Sequence, residues 1–366
     1  MQTPIHYGGR ILKNKKIMNK YPYIIAEIGA NHNGNMDLAK KLIKSAKEAG
    51  ADCVKFQLFE ANDLNTYDSL VELDKGTLKL ENVLEWKSTE LGLNNIFEQV
   101  EKFAVQEEEH IEYFKYAREI GIDYATSVFT KKEVDFCIDQ ETSCIKIASC
   151  DATNLDLIEY VISKDYPVMV ALGMCSLGEV ENIVNLVPQK FRHNVTLLHC
   201  VSLYPPKDEY VNLNFMDTLK NAFGLPVGFS DHTLGTAIPL AAIAKGAAVI
   251  EKHFTLDKNL PGWDHKVSAT PNEMKIICED GKRIIDALGN GIKVVSDAEM
   301  EKRLKFRRGL VTKHALEKGH ELVYDDFMFK RPGTGISADR LNEVIGRHVN
   351  RDIEADKTLF WEDLVK

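Results

Sequence analysis

Eight short apolar runs rich in β-branched residues recur along the first three quarters of this chain, near residues 23–28, 53–58, 124–128, 144–148, 168–172, 195–200, 226–229 and 248–252. Most are separated by segments with helical spacing. Leu38, Ala39, Leu42, Ile43 and Ala46 precede Gly50; Ile111, Phe114, Ala117 and Ile120 precede Gly121; Leu155, Ile158, Val161 and Ile162 make a third stripe. Apolar stripes at this spacing predict amphipathic helices, and glycine after the first two fits a helix C-cap. Eight strands alternating with helices predict an α/β fold of the (β/α)8 TIM barrel type. A doubly wound open sheet is the competing arrangement, but no GxGxxG turn follows the first run.

Two stretches break the rhythm. Residues 60–106 are too long for a plain strand-to-helix connection, and predict an inserted loop with an extra helix (Ile96, Val100, Phe103, Ala104) over the barrel mouth. The barrel domain is expected over residues 1–288. A polar linker, 289–305, then leads to a small β-rich domain, 306–366. That domain contains a near-repeat, ALEKGHELVYDDF (315–327) against DIEADKTLFWEDL (352–364), in which Leu316 matches Ile353, Leu322 matches Leu359 and Asp326 matches Asp363. One repeat pair predicts a small pseudo-symmetric module.

The formal net charge of -9 argues against a general affinity for nucleic acid, which needs a basic face. The seven cysteines are odd in number, contain no CxxC pair and lie mostly in apolar runs, which suits free thiols in a reducing compartment. No apolar span is long enough to cross a membrane, and the N-terminal residues carry no apolar signal core, so a cytoplasmic protein is expected.

In a barrel, chemistry sits at the C-terminal strand ends. Those positions supply Glu27, Asn31 and His32; Lys55 and Gln57; Thr126 and Ser127; Lys146, Ser149 and Asp151; His199, Ser202 and Tyr204; Ser230, Asp231 and His232; Glu251 and His253, with Asp264 beyond. The fifth strand end, Ala171-Leu172-Gly173-Met174, offers no polar side chain. So many polar ends imply a large polar substrate, although strand ends also meet water. Lys55 and Lys146 sit inside strand runs, where a lysine is costly unless it faces an anion or water. With Ser149 and Ser230 they would cradle a phosphate or carboxylate; the alternative is two lysines that reach to the rim. His232 and His253 follow adjacent strands, so their imidazoles should stand side by side. Such a pair suits Mn²⁺, Fe²⁺, Co²⁺ or Zn²⁺ in an open site, and is also compatible with two ordinary strand-end histidines.

Taken together, eight stretches resemble the N-acetylneuraminate (sialic acid) synthase family over nearly the whole chain: IAEIGANHNG (25–34), AGADCVKFQ (49–57), KIAS (146–149), LHCVSLYP (198–205), GFSDHT (228–233), EKHFT (251–255), PGWDH (261–265) and KRPGTGI (330–336). The resemblance implies condensation of phosphoenolpyruvate with an open-chain N-acylated amino sugar, giving a nonulosonic acid and phosphate. It implies that His232 and His253 hold a divalent metal (Mn, Mg, Co or Zn), that Lys55, Lys146, Thr126, Ser149, Ser202 and Ser230 surround phosphoenolpyruvate, and that Tyr204, Asp151 and Asp264 meet the sugar. Glu27 is expected to stabilise the developing charge or handle the proton. The final region resembles the family's antifreeze-like SAF domain, and Arg331 resembles the arginine that reaches the partner's barrel in a domain-swapped homodimer.

The chain departs from the family at Ala171-Leu172, where Ser-Thr is common, at Ser202, where some members have asparagine, and at Trp263, where many have proline. These departures bear on the acceptor more than on the reaction, so N-acetylmannosamine and a 2,4-diacetamido-trideoxy hexose of the legionaminate or pseudaminate type are both candidates. The alternatives are a 3-deoxy-octulosonate or 3-deoxy-heptulosonate synthase with a sugar-phosphate acceptor, and a catalytically silent barrel.

Overall fold

The computed structural model describes residues 20–59, 104–262 and 264–365. The helix expected over Ile96–Ala104 falls almost entirely outside them, as does Trp263. The chain divides into two units, residues 1–290 and 291–366.

In the first unit eight parallel strands close into a barrel: β1 (Tyr23–Glu27), β2 (Cys53–Gln57), β3 (Asp123–Val128), β4 (Ile145–Ile147), β5 (Val168–Ala171), β6 (Val195–Cys200), β7 (Val227–Asp231) and β8 (Val249–His253). The outer helices are α1 (Met36–Glu48), α2 (Glu107–Ile120), α3 (Lys131–Asp139), α4 (Leu155–Ser163), α5 (Leu177–Asn185), α6 (Phe215–Phe223), α7 (Ala237–Ala244) and α8 (Pro271–Leu288). Their starts are written in the sequence. Thr130 with Glu133, Ser176 with Glu179 and Thr270 with Glu273 form capping boxes, each satisfying otherwise orphaned backbone donors. Gly121 ends α2 at φ 75°, a left-handed cap that a Cβ would strain.

The predicted stripes face the sheet. Leu42, Ile43, Phe114, Ile158 and Val161 are buried between helices and barrel, each contributing about 1.5–3 kcal/mol by removing its side chain from water. Because side chains alternate along a strand, a second set points inward. Its lower layer is apolar, with Ile25, Cys53, Ala125, Cys144, Met169, Leu198 and Val249. Toward the C-terminal ends the inward positions turn charged and polar. The strands thus carry a sealed core at one end of the barrel and a site at the other.

The second unit begins in the segment expected as a linker. Within that segment residues 297–305 are helical rather than irregular. They belong to a helix, α9 (Asp297–Phe306), started by a capping box between Ser296 and Glu299. It has no buried residue, which is why its sequence reads as a polar connection.

Beyond α9 the near-repeat folds on itself. Leu316 and Ile353 exchange backbone hydrogen bonds of 2.8 Å, and Leu316, Leu322, Phe327, Ile353, Leu359 and Leu364 share one small core. The matched aspartates do the same work in each half. Asp326 Oδ2 accepts the Val323 N–H at 2.7 Å, and Asp363 Oδ2 accepts the Phe360 N–H at 2.9 Å.

Candidate active site

The inward residues at the strand ends line a cavity of about 220 Å³ that includes Glu27, Lys55, Gln57, Ser127, Lys146, Ser149, Ser202, Tyr204, Ser230, His232, Glu251 and His253. Register explains who meets whom. Glu27 pairs across to Lys55 on one side and to His253 on the other, Ser127 to Lys146, and Ser230 to Glu251.

Two buried lysines and two buried carboxylates form one cluster. Glu27 is ion-paired with Lys55 and accepts from Gln57 Nε2 at 3.1 Å. Lys55 also donates to Ser127 Oγ at 3.0 Å and lies 4.0 Å from Glu251. Glu251 Oε1 accepts from Lys146 at 2.7 Å and from the Ser230 hydroxyl at 3.1 Å. Burial alone would raise the Glu251 carboxyl, but the Lys146 and Lys55 charges hold it down at about 2. Glu27 goes the other way. Burial pushes it up, Lys55 offsets only part of this, and the Glu251 charge adds to the rise, to about 7.

Beside this cluster, at the ends of β7 and β8, the lining is aromatic. The His232 and His253 ring centroids are 5.4 Å apart, and the Tyr204 ring lies 4.0 Å from that of His232. His232 Nδ1 is 2.9 Å from the Val201 carbonyl. A carbonyl only accepts, so Nδ1 carries a proton and Nε2 is the nitrogen not engaged there. Burial would lower the His232 imidazole, but the neighbouring Cys200 and the Val201 carbonyl raise it above its usual range. His253 Nδ1 is buried without a hydrogen-bond partner, its nearest carboxylate being Asp264 at 3.6 Å. Burial keeps the His253 imidazole well below its usual range, and so neutral. Burial also raises Asp264, to about 6.

Ser149 and Ser202 crowd the end of β5. Gly173 N–H donates to Ser149 Oγ at 3.1 Å, and a Cβ at position 173 would come within 2.1 Å of Ser202 Oγ. Ala171 and Met174 line the cavity here, so the end of β5 contributes a backbone donor and apolar surface rather than a polar side chain. Met174 holds φ at 68°, a conformation costly for a side chain with a Cβ.

A family model described as the NeuB family matches residues 42–293, and a SAF domain model matches 307–365. The chain belongs to the NeuB family. It is 38% identical over 348 residues to the N,N'-diacetyllegionaminic acid synthase of Legionella pneumophila, covering 93% of this chain and 94% of that one. It is 32% identical over 345 residues to the pseudaminic acid synthase of Helicobacter pylori, covering 94% and 98%. The crystal structure of an N-acetylneuraminic acid (sialic acid) synthetase from Leptospira borgpetersenii in complex with citrate superimposes with a TM-score of 0.67 at 30% identity, covering 81% of this chain and 96% of that one.

Within this NeuB-family barrel, four of the expected site residues do not line the cavity: Asp264, held 3.6 Å from His253 Nδ1, and three that stand elsewhere. Thr126 points away from the cavity. Its hydroxyl lies 3.5 Å from His110 Nε2 on the outer face of β3, and the neighbouring Ser127 takes the inward place. A strand reverses faces at each residue, so the expectation missed by one position. Asp151 is drawn into the short 3-10 turn Ser149–Asp151, where its carboxylate accepts from Asn154 at 3.1 Å, and it does not line the cavity. Arg331 belongs to the second unit, exposed, with its guanidinium 5.1 Å from the Phe306 ring.

Glu251, Gln57 and Ser127 are the cavity residues that sequence reasoning passed over in choosing the site. All three were visible as polar strand ends. What the sequence lacked was the barrel closure that aims Glu251 at both lysines. Among the described residues no group of three or more His, Cys, Asp or Glu side chains is placed to hold a metal ion, and no helix is long and apolar enough to cross a membrane.

Proposed function

We propose that the cavity joins phosphoenolpyruvate to an open-chain 2,4-diacetamido-trideoxy hexose, giving a legionaminate-type nonulosonic acid and phosphate. The protein is a nonulosonic acid synthase, a phosphoenolpyruvate-dependent condensing enzyme of the NeuB family. The observation that carries the finer reading is one cavity holding two lysines paired with buried carboxylates beside two imidazoles. The choice of acceptor rests on similarity, 38% to the diacetyllegionaminic acid synthase against 31% to the human N-acetylneuraminate-9-phosphate synthase.

Phosphoenolpyruvate carries a carboxylate and a phosphate on one small skeleton. Lys55 and Lys146 meet these anions, with the Ser127, Ser149, Ser202 and Ser230 hydroxyls as further donors. Tyr204 and Asp264 flank the acceptor. C3 of phosphoenolpyruvate bonds to the acceptor aldehyde carbon, whose oxygen gains a proton. A water oxygen adds at C2 and gives up its proton, and the bond from C2 to the phosphate oxygen then breaks to release inorganic phosphate and the keto acid. Glu27, as the carboxylate it becomes when pH rises through about 7, takes the proton from that water.

His232 and His253 fit a divalent metal. The first is oriented through the Val201 carbonyl, which leaves Nε2 as the ligand nitrogen once its proton is displaced, and the second is neutral with an orphaned buried nitrogen. Two protein ligands leave the remaining positions to water and substrate, and the bound ion would supply Lewis-acid polarisation of the acceptor carbonyl. The assembly we propose is a homodimer, in which the exposed Arg331 is available to an anionic group. A cytoplasmic setting is the reading that phosphoenolpyruvate and a soluble sugar support.

The test is product identity. The protein is incubated with phosphoenolpyruvate, Mn²⁺ and, in separate reactions, the 2,4-diacetamido-trideoxy hexose, N-acetylmannosamine, arabinose 5-phosphate and erythrose 4-phosphate. Phosphate release and product mass are then measured. The diacetamido sugar is expected to give the fastest release and a nine-carbon keto acid. Turnover confined to a sugar phosphate would overturn the acceptor class.

A further inference from the structure

The strands that carry the two histidines are joined a second time, on the face turned away from the cavity. Ser230 and His232 line the cavity, as do Glu251 and His253, so strand alternation sends the residues between them, Asp231 and Lys252, to the outer face. They are register partners on β7 and β8. Lys252 Nζ donates to Asp231 Oδ2 at 2.6 Å and to the Thr233 carbonyl at 2.6 Å, while Asp231 Oδ1 accepts the Thr233 N–H at 2.9 Å. All three residues are only 1% exposed.

The connectivity is a closed loop around one residue. Asp231 precedes His232 and Thr233 follows it, and both are tied to the side chain of Lys252, which itself precedes His253. A buried ion pair of this kind is a poor way to gain stability, because desolvating two charges cancels most of their attraction. What it does supply is a fixed geometry. Beyond the strand ladder, the lysine side chain ties the backbone on either side of His232 to the strand that carries His253.

We propose that Asp231 and Lys252 are positioning residues that set the spacing and orientation of the imidazole pair for its divalent cation. This rests on the reading of His232 and His253 as the metal pair. Neither residue touches substrate or cation. They act through the backbone of the residues that do.

The experiment measures cation binding rather than turnover. Purified, chelator-treated protein is titrated with Co²⁺ alone, following heat and the visible ligand-field bands, and with Mn²⁺ in competition. Wild type is expected to take up one Co²⁺ per cavity. Lys252→Met is expected to bind it about 10-fold or more weakly, the usual consequence of losing an outer support of a metal ligand, with altered bands. Phosphoenolpyruvate binding to the lysine wall, read without metal as a thermal shift, should be unchanged.

Asp231→Asn keeps an acceptor for the Thr233 N–H and sets an amide against the ammonium. It is expected to weaken Co²⁺ in the same direction, and it carries the test if Lys252→Met does not fold. Lys245→Met, which breaks a 2.6 Å ion pair with Asp217 away from β7 and β8, should bind Co²⁺ as wild type does. Folded Lys252→Met and Asp231→Asn proteins with wild-type affinity and bands would overturn the positioning role alone. A wild-type protein that takes up no Co²⁺ or Mn²⁺ would overturn the metal pair, and this proposal with it.

Discussion

Glu27 and Glu251 stand on neighbouring strands, both buried and both within reach of Lys55, yet they hold their protons at opposite ends of the range. The difference lies in how many cations each one meets. Glu251 has Lys146 at 2.7 Å as well as Lys55, and the Ser230 hydroxyl besides, and it is held at about 2. Glu27 has one lysine and the neutral Gln57 amide, against full burial and the Glu251 charge, and rises to about 7. Environments that drive two carboxyls apart assign them different roles. On the proposed reading Glu251 is a counter-charge for the two lysines, and Glu27 is the group that exchanges a proton near pH 7.

The strongest way to break this contrast is Glu27→Gln. If Glu27 handles the water proton, kcat should fall by about 10²–10⁴-fold, the usual contribution of general acid–base catalysis. The pH profile gives the sign. Wild-type kcat/KM should rise as pH passes upward through about 7, where Glu27 becomes the carboxylate, and Glu27→Gln should lose that limb.

Stability runs the opposite way. The folded-state value lies above the ordinary 4.5, so the fold favours the protonated form. Its contribution is complete below about pH 4.5 and is lost as pH rises through about 7. A Glu27→Gln enzyme with wild-type kcat and an unchanged rising limb would end the assignment.

Glu251→Gln should act mainly on the fold. Removing one partner of a buried charge cluster costs about 3–5 kcal/mol, because Lys146 and Lys55 are left under-compensated. Phosphoenolpyruvate brings its own anions, so it should raise the melting temperature of this variant more than that of wild type. Calorimetry with and without phosphoenolpyruvate measures both. If Glu251→Gln left stability intact and abolished the rising pH limb instead, the two roles would have to be exchanged.

The parts of this site that were legible in the sequence share a physical signature. Lysines inside apolar strand runs, at positions 55 and 146, are costly there unless they face an anion or water, and as a pair they favoured an anion. Histidines ending consecutive strands must be neighbours once the sheet is parallel, and the rings stand 5.4 Å apart. The barrel itself follows from eight apolar runs spaced by amphipathic stripes. What was not legible depends on closure or on facing. Glu251 meets both lysines only because β1 pairs with β8 and the ring is complete. The helix α9 buries none of its residues, so its capping box at Ser296 and Glu299 was the clearest local signal that the segment is helical. Asp151 sits in a strand-end loop where period-two reasoning has already stopped, and a single 3-10 turn is enough to aim it at Asn154.

The smallest expected effect tests facing most directly, at the pair Thr126 and Ser127. Both are hydroxyl residues, both are buried and they are adjacent on β3, so composition and burial cannot separate them. Only the strand's alternation does. Ser127 Oγ accepts from Lys55 Nζ at 3.0 Å inside the barrel, whereas Thr126 lies against His110 outside it. A hydrogen bond to a charged group contributes about 1.5–3 kcal/mol, so Ser127→Ala should loosen Lys55 and raise the KM for phosphoenolpyruvate by about 10-fold. Thr126→Ala should leave that KM unchanged and cost about 1 kcal/mol of stability through lost packing and a weak hydrogen bond. Steady-state kinetics with varied phosphoenolpyruvate, paired with thermal melts, separates the two. If the KM effect belonged to Thr126 instead, β3 would be out of register by one residue, and every inward assignment on that strand would have to move with it.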